Sequence, residues 1–235
     1  MNNQLSANLR NAKKAKKDEF TTQLITIENE IKNYKKYFKN KVVYCNCDDP
    51  RVSNFFHYFS YNFEHLGLKK LITTCYKNDQ IDLFSQDDSE VAIKLEYTGD
   101  KNGNKVPDLD EIGITKLKGN GDFRSQECID ILKEADIIVT NPPFSLFREY
   151  IDQLIKYDKK FIIIGNINAV SMKEIFPLVK NNKIWWGASL DGRNVWYGVP
   201  DHYEKFHKEE NGKKFAFVAG TTWYTNLDHK KRNEE

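Results

Sequence analysis

The spacing of apolar positions along the chain changes period several times, and each change marks an element. Leu24, Ile27, Ile31 and Tyr34 recur every three or four residues, so 5–38 reads as helical with one face for a core. Thr21 and Thr22 precede that stripe, and their β-branched side chains predict a break. Lys41-Val-Val-Tyr-Cys45 is an apolar run too short for a helix and reads as the first buried strand. Phe55, Phe56, Phe59, Phe63 and Leu66 return to helical spacing and predict a helix over 51–66. Pro50 suits its first turn, an Asp its cap and Gly67 its stop. Residues 69–76 read as a second strand.

The stretch 77–120 alternates over Val91–Tyr97 and over Ile112–Leu117, around the turn-rich Gly99-Asp100-Lys101-Asn102-Gly103-Asn104. It reads as an antiparallel insertion in a parallel sheet. A helix over about 125–134, a buried strand at 136–140, an amphipathic helix over 145–156, a buried strand from Lys160 to Gly165 and a short helix over 171–180 follow. Beyond residue 183 the pattern turns aromatic: Ile184-Trp185-Trp186, Val195-Trp196-Tyr197, Phe215–Val218 and Thr222-Trp223-Tyr224 are strand candidates with no helices between them. They are expected to close the sheet edge as antiparallel strands. The whole predicts an α/β fold with helices on both faces, an antiparallel insertion and a β-rich C-terminal part. The expected organisation is a helical segment over 1–40 packed on a domain spanning 41–235, with the insertion at 77–120.

Candidate chemistry gathers at the end of the 136–140 strand, in Asn141-Pro142-Pro143-Phe144. Neither proline can donate to a ladder, so the strand stops there, and Pro142 pushes Asn141 towards an extended conformation. Open α/β sheets bind ligands at the carboxyl edge of their strands. The Asn141 amide and the Pro142 carbonyl are acceptors beside the Phe144 ring. That set suits a planar ligand with an exocyclic amino group, held through its hydrogens and stacked on the ring.

Composition changes this picture little. The net charge is only +2, but residues 1–41 carry ten Lys/Arg against four Asp/Glu, a basic segment of the kind nucleic acid attracts. No apolar stretch is long enough to span a bilayer, and the amino terminus lacks the apolar core of a signal peptide. The four cysteines then read as reduced thiols in a cytoplasm. Cys45 and Cys47 are too close for the usual zinc spacing, and with His57 and His65 they form no expected ligand cluster, so no metal is predicted.

The Asn-Pro-Pro-Phe tetrapeptide resembles the catalytic motif of S-adenosylmethionine-dependent methyltransferases that modify the amino group of adenine or cytosine. A sulfonium cofactor needs carboxylates for its ammonium and ribose hydroxyls. Asp48 and Asp49, on the turn after the first strand, are candidates, although that turn lacks the common glycine-rich loop. Asp122 and Phe123 offer an acceptor and an apolar wall for its adenine.

The resemblance extends along the chain. Asn11–Phe20, Tyr44–Pro50, Gly121-Asp122-Phe123-Arg124-Ser125, Asn141–Phe144, Ile163–Ala169 and Thr225–Arg232 together resemble the EcoRI-type adenine-specific DNA methyltransferase family. That resemblance implies a Rossmann-like fold, S-adenosyl-L-methionine as methyl donor and adenine N6 in double-stranded DNA as acceptor. It places Asn141, Pro142, Pro143 and Phe144 at the catalytic centre, and Phe20 and Thr21 against the cofactor. Similar enzymes have Phe-Tyr-Thr where this chain has Phe20-Thr21-Thr22, so the tyrosine's contribution is missing. Its members often continue past Arg232, whereas three residues follow it here, and a shorter DNA-recognition region is expected. The basic end of that stretch suits phosphate contact. A cytoplasmic location, a cognate restriction nuclease and a phage or mobile-element setting accompany this reading. The alternatives are an RNA or protein amide methyltransferase with a similar loop, and an inactive nucleic-acid-binding relic.

Overall fold

The computed structural model describes residues 21–47, 53–75, 92–104, 107–108, 110–189, 194–199 and 206–234. The strands among them are β1 (Thr21–Thr22), β2 (Val42–Cys45), β3 (Lys70–Thr74), β4 (Ile93–Tyr97), β5 (Ile112–Lys116), β6 (Ile137–Thr140), β7 (Lys160–Asn166), β8 (Trp185–Trp186), β9 (Asn194–Val199), β10 (Lys208–Glu210), β11 (Lys213–Ala219) and β12 (Thr221–Thr225). The helices are α1 (Leu24–Ile31), α2 (Lys35–Phe38), α3 (Asn54–Tyr61), α4 (Phe63–Leu66), α5 (Gln126–Glu134), α6 (Phe147–Lys156) and α7 (Phe176–Lys180).

Eight strands form one sheet in the order β5-β4-β3-β2-β6-β7-β12-β8. Its centre, β3-β2-β6-β7, is parallel, as the buried apolar runs imply. The β4–β5 hairpin adds antiparallel to β3, and β12 and β8 add antiparallel beyond β7. The pleat divides the core in two. Val43 and Cys45 face Ile27, Ile31, Phe38 and Phe59 on one side. Val42 and Tyr44 face Leu132, Tyr150 and Leu154 on the other. Helices before β3 therefore cover one face and α5–α7 the other, the layering of a Rossmann-like α/β fold.

Two expectations need correction. Only two of the four aromatic strands close the main sheet. β9 and β11 pair with each other and form a separate antiparallel sheet, in the order β1-β9-β11-β10. Gly220, at φ +73°, turns the chain between β11 and β12 and sends neighbouring strands into different sheets. The break before the first helix is itself a strand: Thr21 and Thr22 pair with Gly198 and Tyr197. The 51–66 helix begins at Asn54 and divides at Asn62, whose amide bonds back to the Tyr58 carbonyl at 2.8 Å. Gly67 stops it at φ +64°, as predicted. Of the predicted 5–38 helix, the described part starts at Leu24, after β1 and the extended Gln23, and residues 5–20 lie outside the description.

Candidate active site

Parallel strands share one carboxyl edge, and the amino ends of α3, α5 and α6 return to it. β6 reaches it at Thr140, where Asn141 and the two prolines end the ladder. Pro142 is buried, while Pro143 and Phe144 are exposed. The Pro143 carbonyl accepts from Leu146 N–H at 2.9 Å, which tightens the loop into a short 3₁₀ turn before α6. Phe147 then anchors the helix. Its ring lies against the backbone of Gly165, where an added Cβ would come within 2.4 Å of it. Gly165 therefore sets how closely α6 approaches β7, and with it the position of the loop.

Asn141 is half-buried, and its Oδ1 is buried with no hydrogen-bond partner among the described residues. An amide oxygen in that state costs about 1–3 kcal/mol unless a ligand donor satisfies it. Phe144 is 37% exposed, so its ring is available to a ligand.

Three loops meet beside this pair. Asn46, 4% exposed, follows β2. Its carbonyl accepts from the Thr140 hydroxyl and its Oδ1 accepts from the Tyr150 hydroxyl. Tyr150 packs edge-to-face on Phe123, with centroids 5.0 Å apart at 70°. Burial holds the Tyr150 phenol well above the ordinary tyrosine range, so it remains a donor throughout the physiological range. The turn after β2 needs a left-handed residue, and Cys47 takes it at φ +79° instead of a glycine.

Asp122 sits at the amino end of α5 on the same edge. Its Oδ1 accepts from Arg124 N–H at 2.8 Å, an Asx turn, and from Arg124 Nε at 2.9 Å. Its Oδ2 accepts from Arg124 Nη2 at 2.7 Å, and Arg124 continues to Glu149 at 3.1 Å. A ligand donor at Asp122 would share these oxygens with the guanidinium. Phe123 is 7% exposed and belongs to the core, with an edge on Tyr150. Phe20, Asp48 and Asp49 lie outside the described residues, and of Thr21 only the backbone is described.

Four residues missed by sequence reasoning belong to this edge. Asn46 and Tyr150 clamp the loops. Thr22 and Ser53, each 3% exposed, have hydroxyl oxygens with no partner. Asn54, in the first turn of α3, donates to the Thr22 carbonyl at 2.7 Å, which brings β1 and Ser53 together. Hydroxyl residues flanking a strand–turn–helix entry were the available signal.

The basic stretch at 228–232 lies elsewhere. β12 runs antiparallel to β7, so its end leaves the amino edge of the parallel strands, with Thr225 beside Ile162. Arg232 stacks on Trp185 at 3.5 Å and pairs with Asp228 at 3.4 Å, while His229 Nε2 meets the Trp186 carbonyl at 2.9 Å. Arg232 and His229 thus fasten the tail, on the edge opposite Asn141.

A family model described as adenine-specific methyltransferase EcoRI matches residues 8–235. The chain belongs to this family. Among curated relatives, it is 53% identical to the Type II methyltransferase M.EcoRI of Escherichia coli over 225 residues, covering 94% of this chain and 68% of that protein. It is 44% identical to the Type II methyltransferase M.MgeORF184P of Mycoplasma genitalium, covering 92% of this chain and 63% of that protein. It is 34% identical to the Type II methyltransferase M.MpnI of Mycoplasma pneumoniae, covering 95% and 65%. The chain thus spans about two thirds of the length of these relatives. No solved structure matches it. No described helix is long and apolar enough to cross a membrane.

Proposed function

We propose that this chain transfers a methyl group from S-adenosylmethionine to N6 of an adenine swung out of double-stranded DNA. The observation that carries the reading is the Asn141 Oδ1 atom, buried and without a donor, beside an exposed Phe144. Extruding the base costs a few kcal/mol, which stacking and hydrogen bonding in the pocket offset. Phe144 stacks on the base. Asn141 Oδ1 and the Pro142 carbonyl accept the two N6 hydrogens and orient the nitrogen lone pair. Pro143 keeps the loop stiff, so the acceptors need no reorganisation as positive charge grows on nitrogen. No covalent enzyme intermediate is required.

The residues at this edge fit the cofactor. The unpartnered hydroxyls of Thr22 and Ser53 stand at the amino end of α3, which favours a carboxylate. With Phe20, Thr21, Asp48 and Asp49 they would hold its amino-acid and ribose parts, and Asp122 and Phe123 its adenine. S-adenosylmethionine, when bound, supplies an electrophilic methyl group on a positively charged sulfur. The test is transfer of labelled methyl groups to DNA, RNA and protein side by side, with hydrolysed DNA examined for N6-methyladenine. Label in RNA or protein instead of DNA would overturn the reading. Cofactor binding without any transfer would favour an inactive relic. A cognate nuclease and a cytoplasmic setting belong to the same proposal, as companions of a Type II methyltransferase.

A further inference from the structure

The hairpin between β4 and β5 carries a loop that methyl transfer does not use. It runs Asp100-Lys101-Asn102-Gly103-Asn104 and continues to Asp108 and Glu111. Counted from Asp100, the oxygen-bearing side chains at Asp100, Asn102, Asn104, Asp108 and Glu111 fall at positions one, three, five, nine and twelve. Those are the side-chain positions of a twelve-residue calcium loop, which closes on a glutamate. Position six departs, with Lys105 for the usual glycine, while Gly103 makes a left-handed turn at φ +81°.

Glu111 is drawn into the loop. Its Oε1 accepts the backbone N–H of Lys101 at 2.5 Å and of Asn102 at 3.2 Å. The residue is only 5% exposed, and its other oxygen, Oε2, has no partner. A buried carboxylate oxygen without a donor is expensive, and a cation would satisfy it. Asp100 Oδ1 accepts Gly103 N–H at 2.7 Å, which curls the loop's first turn inward. Asn102 and Asn104 both aim their amide nitrogens at Asp108 Oδ2, at 2.6 and 3.3 Å. In this arrangement the two amides donate to Asp108 Oδ2 where a cation would otherwise sit, and turning each over would present its carbonyl oxygen, at Asn102 with loss of the Asn104 N–H bond that its Oδ1 accepts at 2.9 Å. The Tyr97 phenol, pushed up to about 12 by burial and then by Glu64, Glu111, Asp100 and Asp108, registers the same gathering of charge. Among the described residues no three His, Cys, Asp or Glu side chains are gathered for a metal as they stand. The three carboxylates Asp100, Asp108 and Glu111 are thus not yet converged, and the ion would draw them together as the two asparagine amides rotate.

We propose that the 100–111 loop binds one calcium ion through Asp100, Asn102, Asn104, Asp108 and Glu111, locking the β4–β5 hairpin. The donors are all oxygen, two are neutral amides and the loop is adaptable. Calcium accepts such a set, whereas magnesium demands a tight octahedron and zinc prefers nitrogen and sulfur.

Calorimetric titration of the chelator-treated full chain with calcium chloride tests this without DNA or cofactor, so it stands apart from methyl transfer. The expected result is one ion per chain with a Kd of about 1 mM or tighter. The thermal midpoint should rise with calcium concentration. Magnesium chloride should give no comparable shift. Glu111→Gln and Asp100→Asn keep acceptor oxygens for the loop's N–H groups and should each weaken binding at least tenfold. Circular dichroism checks that they are folded, and Asp100→Asn decides if Glu111→Gln is not. No binding by the wild-type chain at about 10 mM calcium, ten times that weakest Kd, would overturn the proposal. So would an equal response to magnesium, or folded variants that bind as the wild type does.

Discussion

Two asparagines sit at opposite edges of the same sheet. Asn226, at the amino edge, is fully used: its Oδ1 accepts Phe161 N–H at 3.0 Å and its Nδ2 donates to the Lys159 carbonyl at 2.8 Å. Asn141, at the carboxyl edge two strands away, keeps a buried oxygen that no described residue satisfies. The surroundings repeat the contrast. Trp185, Arg232 and His229 are locked together at the amino edge. Phe144 is exposed at the other, and Thr22 and Ser53 carry orphaned hydroxyls. Side chains that complete their bonding within the chain contribute to stability. Those that do not are costly until a ligand arrives, which marks the edge where chemistry is expected.

Removing the side chain on each edge should break the comparison if it is wrong. Asn141→Ala is expected to reduce single-turnover methyl transfer by about a hundredfold or more, as loss of an electrostatic stabiliser does. Thermal stability should hold or improve, because an unsatisfied buried oxygen is removed. Wild-type transfer by that variant would refute the mechanism. Phe144→Ala should weaken DNA binding by about 1–3 kcal/mol, the worth of a base stacked on an aromatic ring, in a filter or anisotropy titration. Tyr150→Phe leaves Asn46 Oδ1 without its donor and should cost about 1–3 kcal/mol of stability. Cofactor affinity should fall with it if the clamped loops form the cofactor pocket; denaturant unfolding reads the first and isothermal titration calorimetry the second.

Asn226→Ala is the opposite control, with about 1–2 kcal/mol lost in denaturant unfolding for two backbone hydrogen bonds. Transfer per folded molecule should stay unchanged. The smallest effect is expected of Lys230→Ala. It lies beyond β12 on the amino edge, so DNA affinity and its salt dependence should match the wild type. A salt slope reduced by about one would put phosphate against that edge and undo the contrast.

Periodicity and punctuation by themselves determined the parallel centre of the sheet, the order of its helices, the stop at Gly67 and the Asn141–Phe144 loop. These depend on local rules: short β-branched runs, three-to-four spacing, and prolines that cannot donate. The six segments quoted for the family resemblance identified the chemistry, and the family match agrees with them. The calcium-type spacing of Asp100–Glu111 is equally local, but its oxygen side chains lie within a turn-rich stretch and match no sulfur or nitrogen ligand pattern.

Tertiary structure alone decided which polar atoms find partners. Asn46 and Tyr150 are 104 positions apart, and Asn141 and Asn226 look alike in the chain. Whether an amide is satisfied depends on donors delivered by other strands, and a one-dimensional pattern carries no such distance. The split of aromatic strands into two sheets had the same origin, since alternation identifies a strand but not its neighbour. The placement of the basic tail followed from the direction of β12, which only its pairing with β7 reveals.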